Sequence, residues 1–245
     1  MGEGLLIFRQ LFESVSCTYS YLLADPATRE AVIIDPVVDC HERDVALINA
    51  LGLTLIYAMD THVHADHVTG SGALSERLGA RTVISEAAGL DCVTVSATHG
   101  QRFALGDLEV EFRQTPGHTA SCGTYVLRDG GQTYAFTGDA LLIGGCGRTD
   151  FQGGDANQLY RSVYEQIFSL PDETVVFPGH DYKGRIQSSV AEEKAHNHRL
   201  RLGTTQDEFC QIMAALNLAR PKRMDEALPA NMTCGRVVHS AALKP

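Results

Sequence analysis

The sequence predicts an α/β domain in which short strands alternate with helices and end in polar side chains. Strand-type residues occupy 31–35 and 53–59, and apolar residues recur at helical spacing over 42–51, where Gly52 is a suitable C-terminal stop. Polar ligand-type side chains then follow strand-like runs at four places along the chain. With 245 residues, the chain has the length of one large domain, or of one domain with an appendage.

The other predicted elements follow from the same signals. Strands are predicted at 5–8, 19–23, 82–84, 124–127, 133–136 and 174–177, and helices at 71–78, 155–168 and 206–216. Gly106-Asp107 lies between two strand-like runs and indicates a β-hairpin. From about residue 187 the chain reads as mostly helical or irregular, without a convincing linker before it.

Composition limits the classes of function. The formal net charge of -10 argues against nonspecific binding to nucleic acid, because the phosphates would be repelled. An anionic small substrate stays open, since a local basic pocket can outweigh the global charge. No apolar run approaches the roughly 18 residues of a membrane span. The first residues show no signal-peptide pattern, so we expect a cytoplasmic protein, or a mitochondrial matrix protein if it is a processed eukaryotic form.

The seven cysteines are odd in number and contain no C-x-x-C pair. This spacing predicts neither a disulfide framework nor a structural zinc site, and a reducing compartment is the simplest interpretation. Cys146 and Cys234 are therefore expected to act as small hydrophobic residues rather than as nucleophiles.

The sequence T-H-V-H-A-D-H at residues 61–67 places three imidazoles and one carboxylate directly after a strand. Nitrogen and oxygen donors of this kind suit zinc, iron or manganese rather than a soft thiolate-bound metal. The alternative is a polar loop whose histidines bond backbone carbonyls. Several ionisable groups so close together repel or compete unless a cation lies among them, which favours a metal site.

Three more potential ligands follow strands, and each comes directly after a glycine. They are His118 in Pro-Gly-His, Asp139 in Thr-Gly-Asp and His180 in Pro-Gly-His. A glycine at this position lets the backbone turn sharply and bring the side chain to a shared centre. Four such loops together predict one metal centre at the sheet edge, where α/β sheets commonly hold ligands.

These motifs resemble the metallo-β-lactamase superfamily, and the match extends over residues 5–200. The stretch G-C-G-R-T-D-F-Q at 145–152 and L-P-A-N-M at 228–232 are similar to the persulfide dioxygenases, the ethylmalonic encephalopathy protein family. The resemblance implies an αβ/βα sandwich with metals at the sheet edges. We therefore expect a single domain over 1–245, with a short helical C-terminal extension from about 187.

The resemblance also implies a function. It assigns one Fe(II) per chain to His62, His118 and Asp139, a facial triad that leaves positions open for substrate and O2. The implied reaction oxidises glutathione persulfide with O2 and water to sulfite and glutathione. Four further residues, which hold a second metal in binuclear relatives, would here hydrogen-bond the ligands and bound water. They are His64, Asp66, His67 and His180. Whether His64 touches the iron stays open.

Glutathione carries two carboxylates, so at least one cation should line its site. Arg199 and Tyr182 match positions that the family uses for glutathione. The alternative for Arg199 is a surface ion pair with Glu192 or Glu193. For Arg148, binding substrate and holding Asp150 or a loop carbonyl are equally open.

Two other functions compete with the dioxygenase. One is a hydroxyacylglutathione hydrolase like glyoxalase II, in which two metals activate water for attack on a thioester. The other is a non-catalytic thiol-binding or scaffold protein, which the complete ligand set disfavours. A homodimer stays open. Metal analysis separates the three readings: one iron, two zinc-like ions, or no metal required.

Overall fold

Two six-stranded sheets form the framework of the protein, whose computed structural model describes residues 6–236. The strands of the first sheet, in their order across it, are β1 (Ile7–Glu13), β2 (Thr18–Ala24), β3 (Glu30–Ile34), β4 (Thr54–Met59), β5 (Arg81–Ser85) and β6 (Val95–Ala97). Those of the second are β7 (Arg102–Leu105), β8 (Leu108–Gln114), β9 (Gly123–Asp129), β10 (Gln132–Gly138), β11 (Val175–Pro178) and β12 (Ser188–Ser189), also in order across the sheet. The predictions made for residues 1–5 lie outside the described residues.

Parallel pairing occurs where helices or long loops connect the strands. The pairs β3/β4, β4/β5, β5/β6 and β10/β11 are parallel, and the remaining neighbours are antiparallel. The helices are α1 (His41–Ala50), α2 (Ser71–Leu78), α3 (Ala156–Ser162), α4 (Val190–His196), α5 (Gln206–Ala214) and α6 (Met224–Asn231). A π-helical turn, Val163–Ile167, continues α3, and short 3-10 turns lie at Val38–Cys40 and Glu86–Ala88.

Three apolar layers hold the sheets and helices together. Aromatic side chains from both sheets, among them Tyr21, Phe112 and Phe136, are fully buried between them. On the outer face of the first sheet, Ile48 of α1 and Leu74 of α2 pack against the strands. Helices α3 and α5 cover the second sheet in the same way. The predicted αβ/βα sandwich is thus confirmed.

Most predicted elements are confirmed, with differences near their ends. The helix predicted over 71–78 is α2, and the hairpin around Gly106 is β7–β8. The helix predicted over 155–168 changes to π geometry at residue 163. After residue 187, the short strand β12 first extends the second sheet. The division into one domain with a C-terminal extension stays a prediction. No helix within residues 6–236 has the length and apolar character to cross a membrane.

The prediction that the cysteines form no disulfide was wrong. Cys92 and Cys234 are joined by a disulfide, with their Cα atoms 6.0 Å apart. The two residues are 142 positions apart in sequence, so spacing gave no indication that the fold brings them together. The other five cysteines are free. Cys146 among them is buried, as expected for a small hydrophobic residue, whereas the same expectation for Cys234 was wrong because it forms the disulfide.

Helix α3 has a side-chain cap that bears on the position of a candidate ligand. The Asp155 carboxylate accepts hydrogen bonds from the backbone N–H groups of Asn157 and Gln158, and the Asp155 N–H donates to the carbonyl of Gly117 at 2.9 Å. The cap therefore fixes the start of α3 against the backbone that precedes His118.

Replacing Asp155 by alanine removes this cap and is expected to lower the free energy of unfolding by about 1 kcal/mol. Asp207→Ala is the matched control, because Asp207 is an exposed acid in the first turn of α5 that does not cap it. Chemical denaturation of the two variants checks the prediction. Equal losses in both variants would contradict a specific capping role for Asp155.

Candidate metal centre

Three predicted ligands meet at the edge of the sandwich. His62 follows β4, His118 follows β8 and Asp139 follows β10, so both sheets contribute. One ligand atom from each residue lies within 4.8 Å of the other two. Nε2 of His118 is 3.5 Å from Oδ2 of Asp139, and the rings of His62 and His118 are 5.0 Å apart in an edge-on arrangement. The separation suits donors around one shared cation.

Hydrogen bonds orient both imidazoles of this group. Thr61 Oγ1 donates to Asp35 Oδ2 at 2.8 Å, so the same oxygen accepts from His62 Nδ1 at 3.0 Å. His118 Nδ1 donates to the backbone carbonyl of Arg148 at 2.6 Å. Each ring therefore carries its proton on Nδ1 and presents an unprotonated Nε2, which is the form that binds a metal.

Burial differs across the group and indicates where a substrate enters. His62 is 2% exposed, whereas the side chains of His118 and Asp139 are 12% and 14% exposed. Burial, together with the neighbouring imidazoles of His64 and His118, holds the pKa of His62 well below its ordinary value. A neutral His62 costs less to desolvate and is ready to act as a ligand. The open side of the centre is the one formed by His118 and Asp139.

The glycines that precede the ligands are required by conformation and by space. Gly117 and Gly138 have φ values of +135° and +50°, in the region that disfavours side chains. A methyl carbon at Gly138 would lie 2.4 Å from Thr61 Oγ1, the atom that orients His62. Gly179 has no positive φ, but a methyl carbon there would lie 2.8 Å from Asp139 Oδ1. The predicted sharp turns are therefore confirmed for the first two, and Gly179 instead provides room for the Asp139 carboxylate.

A second group adjoins the first. His64, Asp66 and His67 form a cluster with ligand atoms within 4.8 Å, and His67 Nδ1 is 3.0 Å from Asp66 Oδ2. His180 Nε2 lies 3.6 Å from a carboxylate oxygen of Asp66 and 3.6 Å from one of Asp139, so it connects the two groups. The four residues predicted beside the ligands are thus all adjacent to them.

One ring nitrogen of His64, Nε2, is directed at Asp35 rather than at the first group of ligands. Its Nε2 lies 3.1 Å from Asp35 Oδ1, while its Nδ1 is buried without a hydrogen-bond partner in the described part of the chain. Burial lowers the pKa of His64, but the carboxylates of Asp35, Asp66 and Asp60 outweigh it and raise the pKa to about 9. The pairing with Asp35 therefore favours the protonated form of His64.

Three residues that support the metal loop had no role assigned from the sequence. Asp35 directly follows the strand β3, and its carboxylate also accepts from the Thr61 N–H at 2.7 Å. Asn231 Nδ2 donates to the carbonyls of His64 and His67 at 2.8 Å each. Gln152 Nε2 donates to the carbonyl of Val63 at 2.8 Å. Asn231 and Gln152 lie in the two stretches that carried the family resemblance, which was the available signal.

Of the two predicted substrate contacts, Tyr182 lies beside His180, and Arg199 contacts the loop that contains Cys146. The Tyr182 ring stacks on His180 with 6.1 Å between centroids and is largely exposed. Arg199 Nη1 donates to the carbonyl of Cys146 at 2.8 Å. Arg199 forms no ion pair among the described residues, so the alternative pairing with Glu192 or Glu193 was wrong. Glu193 is instead buried and accepts from the N–H of Gly144.

Arg148 is held on several sides by the protein itself. Its guanidinium forms a two-point ion pair with Asp150, at 2.6 and 2.7 Å, and stacks over Phe151. It also donates to the carbonyls of Leu218 and Ala219. These contacts favour the loop-holding alternative over the substrate contact, because they occupy every nitrogen of the guanidinium.

The donor set fits a bound cation. Oδ1 of Asp139, Nδ1 of His64 and Nε2 of His67 are buried without a hydrogen-bond partner in the described chain. Such atoms are costly to bury unless an ion or water satisfies them. Two imidazoles and one carboxylate suit Fe(II), Zn(II) or related metals, so the donors alone indicate a metal without choosing between them.

Comparisons with known proteins agree with this geometry. The model of the metallo-beta-lactamase superfamily matches residues 17–91 and 95–180. The human mitochondrial persulfide dioxygenase ETHE1 is 51% identical over 236 residues, covering 96% of this chain and 91% of the human protein. A hydroxyacylglutathione hydrolase from Polaromonas is 35% identical over 179 residues, covering 71% of this chain and 66% of that protein.

Solved structures give the same result. The crystal structure of ETHE1 from Myxococcus xanthus superimposes with a TM-score of 0.89 at 53% identity, covering 94% of this chain and all of that one. Both the fold and about half of the residues are thus shared along nearly the whole length. The chain belongs to the persulfide dioxygenase family of the metallo-beta-lactamase superfamily.

Proposed function

We propose that this protein is a persulfide dioxygenase that converts glutathione persulfide, O2 and water to glutathione and sulfite. The observation that carries the proposal is the 51% identity to the human persulfide dioxygenase over 96% of the chain. The hydroxyacylglutathione hydrolase is less similar and covers less of the chain. In the reaction, the outer sulfur leaves glutathione and takes its oxygen atoms from O2 and water.

One Fe(II) per chain is the proposed metal, held by His62, His118 and Asp139. Bound there, a metal that changes oxidation state supplies the electron transfer that O2 chemistry needs, which zinc does not. The protein contributes orientation: Thr61 and the Arg148 carbonyl keep Nε2 of both imidazoles directed at the centre. The partial exposure of His118 and Asp139 leaves that side open for the persulfide and O2.

The surrounding carboxylate and imidazoles are proposed to hold the ligands and bound water in place by hydrogen bonding. His180 supports this role, since its Nδ1 donates to the carbonyl of Cys17 and its Nε2 faces both Asp66 and Asp139. His64 is proposed to act indirectly, by a hydrogen bond to Asp35. The same carboxylate accepts from Thr61, which orients His62. Groups of this kind fix ring orientation and strengthen ligand binding.

Arg199 and Tyr182 are the proposed contacts for glutathione. Tyr182 presents an exposed ring beside His180, and Arg199 has one nitrogen fixed on the Cys146 carbonyl, with no carboxylate partner among residues 6–236. A guanidinium in that state is available for a substrate carboxylate. Arg148, whose nitrogens are occupied, is proposed to act instead by fixing the loop whose carbonyl holds His118.

A hydroxyacylglutathione hydrolase is the second candidate. The observation in its favour is the second cluster of His64, Asp66 and His67, which lies beside the first and is joined to it by His180. Such an arrangement would suit two metals and a bound hydroxide.

The cytoplasm, or the mitochondrial matrix for a eukaryotic form, is the proposed location, and a homodimer stays open.

Replacing His118 by alanine is expected to lower metal affinity by at least about 100-fold, since even loss of a ligand's hydrogen-bond partner costs 10–100-fold. Sulfite formation should disappear with the metal. His196→Ala is the control, because His196 is an exposed histidine at the end of α4. Metal content and sulfite production are measured on the same samples. Near-stoichiometric iron with full activity in H118A would sink the ligand assignment.

Replacing Arg199 by alanine is expected to raise KM for glutathione persulfide about tenfold to a hundredfold with a smaller change in kcat, because a charge-assisted hydrogen bond is lost. Arg201→Ala removes an exposed arginine two residues later and serves as the matched control. Steady-state oxygen uptake gives both constants. An unchanged KM in R199A would leave Arg199 with only its structural bond to the Cys146 carbonyl.

Exchange of the metal separates the two candidate reactions. Protein stripped of metal and reloaded anaerobically with Fe(II) is expected to consume O2 when given glutathione persulfide, whereas the Zn(II) form is not. Both forms should hydrolyse S-lactoylglutathione poorly. Rapid thioester hydrolysis by the zinc form, without persulfide-dependent oxygen uptake by the iron form, reverses the assignment in favour of the hydrolase.

A further inference from the structure

A tight turn at residues 142–145 connects the ligand Asp139 to the rim of the centre. Leu142 and Gly145 are bonded to each other through both backbone N–H groups, at 3.0 and 3.1 Å. Gly147, just beyond the turn, approaches the other side of the centre: a methyl carbon there would lie 2.7 Å from His118 Nδ1. The turn therefore lies next to the open side, where a substrate passes.

Arg185 is fixed against this turn by an unusual number of contacts. Its Nε and Nη2 donate to Asp181 Oδ1 at 3.0 and 2.6 Å, and Nη2 also donates to the carbonyl of Ile143 at 2.8 Å. The buried Asp181 carboxylate is itself held by the backbone N–H groups of Lys183 and Arg185. The guanidinium is thus immobilised, while Nη1 has no hydrogen-bond partner in the described chain.

The free nitrogen borders a gap that a glycine keeps open. A methyl carbon on Gly144 would lie 3.4 Å from Arg185 Nη1 and 3.9 Å from His198 Nε2. Gly144 has φ +70°, so a side chain is disfavoured there on conformational grounds as well. The Arg185 side chain is 40% exposed and His198 is exposed, so the gap is accessible from solvent. Arg185 Nη1 and His198 Nε2 therefore both lie within about one van der Waals contact of the position a side chain at Gly144 would take.

We propose that Arg185 binds one carboxylate of glutathione at this gap, close to His198. The inference rests on the proposed function, in which glutathione persulfide is the substrate. Glutathione has two carboxylates, and Arg199, the other proposed cation, can pair with only one of them at full strength. Arg185 contacts the same loop as Arg199, since Arg185 donates to the carbonyl of Ile143 and Arg199 donates to the carbonyl of Cys146. A pre-positioned guanidinium loses little freedom when it binds a carboxylate.

The test measures glutathione binding to the metal-loaded protein by titration calorimetry. The ligands are glutathione, its glycyl ethyl ester and an analogue whose γ-glutamyl carboxylate is an amide. Arg185→Gln is compared with Arg185→Lys, which keeps the charge, and with Lys183→Gln. Lys183 is an exposed cation on the same loop whose side chain makes no hydrogen bond or ion pair within residues 6–236, so K183Q matches the charge loss. Persulfide-dependent oxygen uptake is recorded on the same samples.

R185Q is expected to weaken glutathione binding about tenfold and to bind one of the two blocked analogues as well as the wild type does. R185K should recover part of the affinity, and K183Q should match the wild type. The analogue that is insensitive to R185Q identifies the carboxylate that Arg185 contacts.

Three results overturn the inference. They are wild-type protein that binds no glutathione, R185Q that binds glutathione as tightly as the wild type does, and equal losses in R185Q and R185K for all three ligands, which assign Arg185 to holding the loop. Glutathione binding that depends on Arg185, without oxygen uptake by the wild type, leaves the inference standing and rejects the dioxygenase instead. The two failures are therefore distinguishable.

Discussion

The buried carboxylate of Asp35 is the contact on which the metal centre depends. It is 1% exposed and accepts from the N–H and the hydroxyl of Thr61 and from Nε2 of His64. Through Thr61 it determines the tautomer of His62, and through His64 it holds the next turn of the same loop. Asp35 has φ +50°, which is uncommon for a residue other than glycine. The backbone strain and the desolvation of Asp35 are tolerated because these three hydrogen bonds satisfy its buried charge.

Both sheets must pack correctly before the ligands meet. His62 comes from the first sheet, whereas His118, Asp139 and His180 come from the second, so the aromatic core between the sheets sets their separation. The backbone also makes contact across this boundary, where Gly123 N donates to the carbonyl of Thr61 at 2.8 Å. Assembly of the centre is therefore a consequence of tertiary packing. Each strand alone places one ligand at its end.

This division explains what could be predicted from the sequence. Periodicity and glycine positions are local, so α2, the β7–β8 hairpin and the four ligand loops were predictable from neighbouring residues. The role of Asp35 was not, because it acts on Thr61 and His64 from a different strand. The Cys92–Cys234 disulfide and the hydrogen bond from Asn231 to the metal loop each join residues more than 130 positions apart in sequence. Such contacts leave no periodic signal in sequence.

The charge distribution accounts for how an acidic protein can receive an acidic thiol. The chain has a net charge of -10, yet two arginines, Arg185 and Arg199, bond to the carbonyls of Ile143 and Cys146 in the segment that follows Asp139. The buried acids nearest to them, Glu193 and Asp181, are already engaged by hydrogen bonds from the protein. Screening at physiological salt limits the repulsion from distant surface acids to roughly 8 Å. A carboxylate at the proposed glutathione site would therefore respond mainly to these two arginines, and the net charge of the protein would act mainly on its approach.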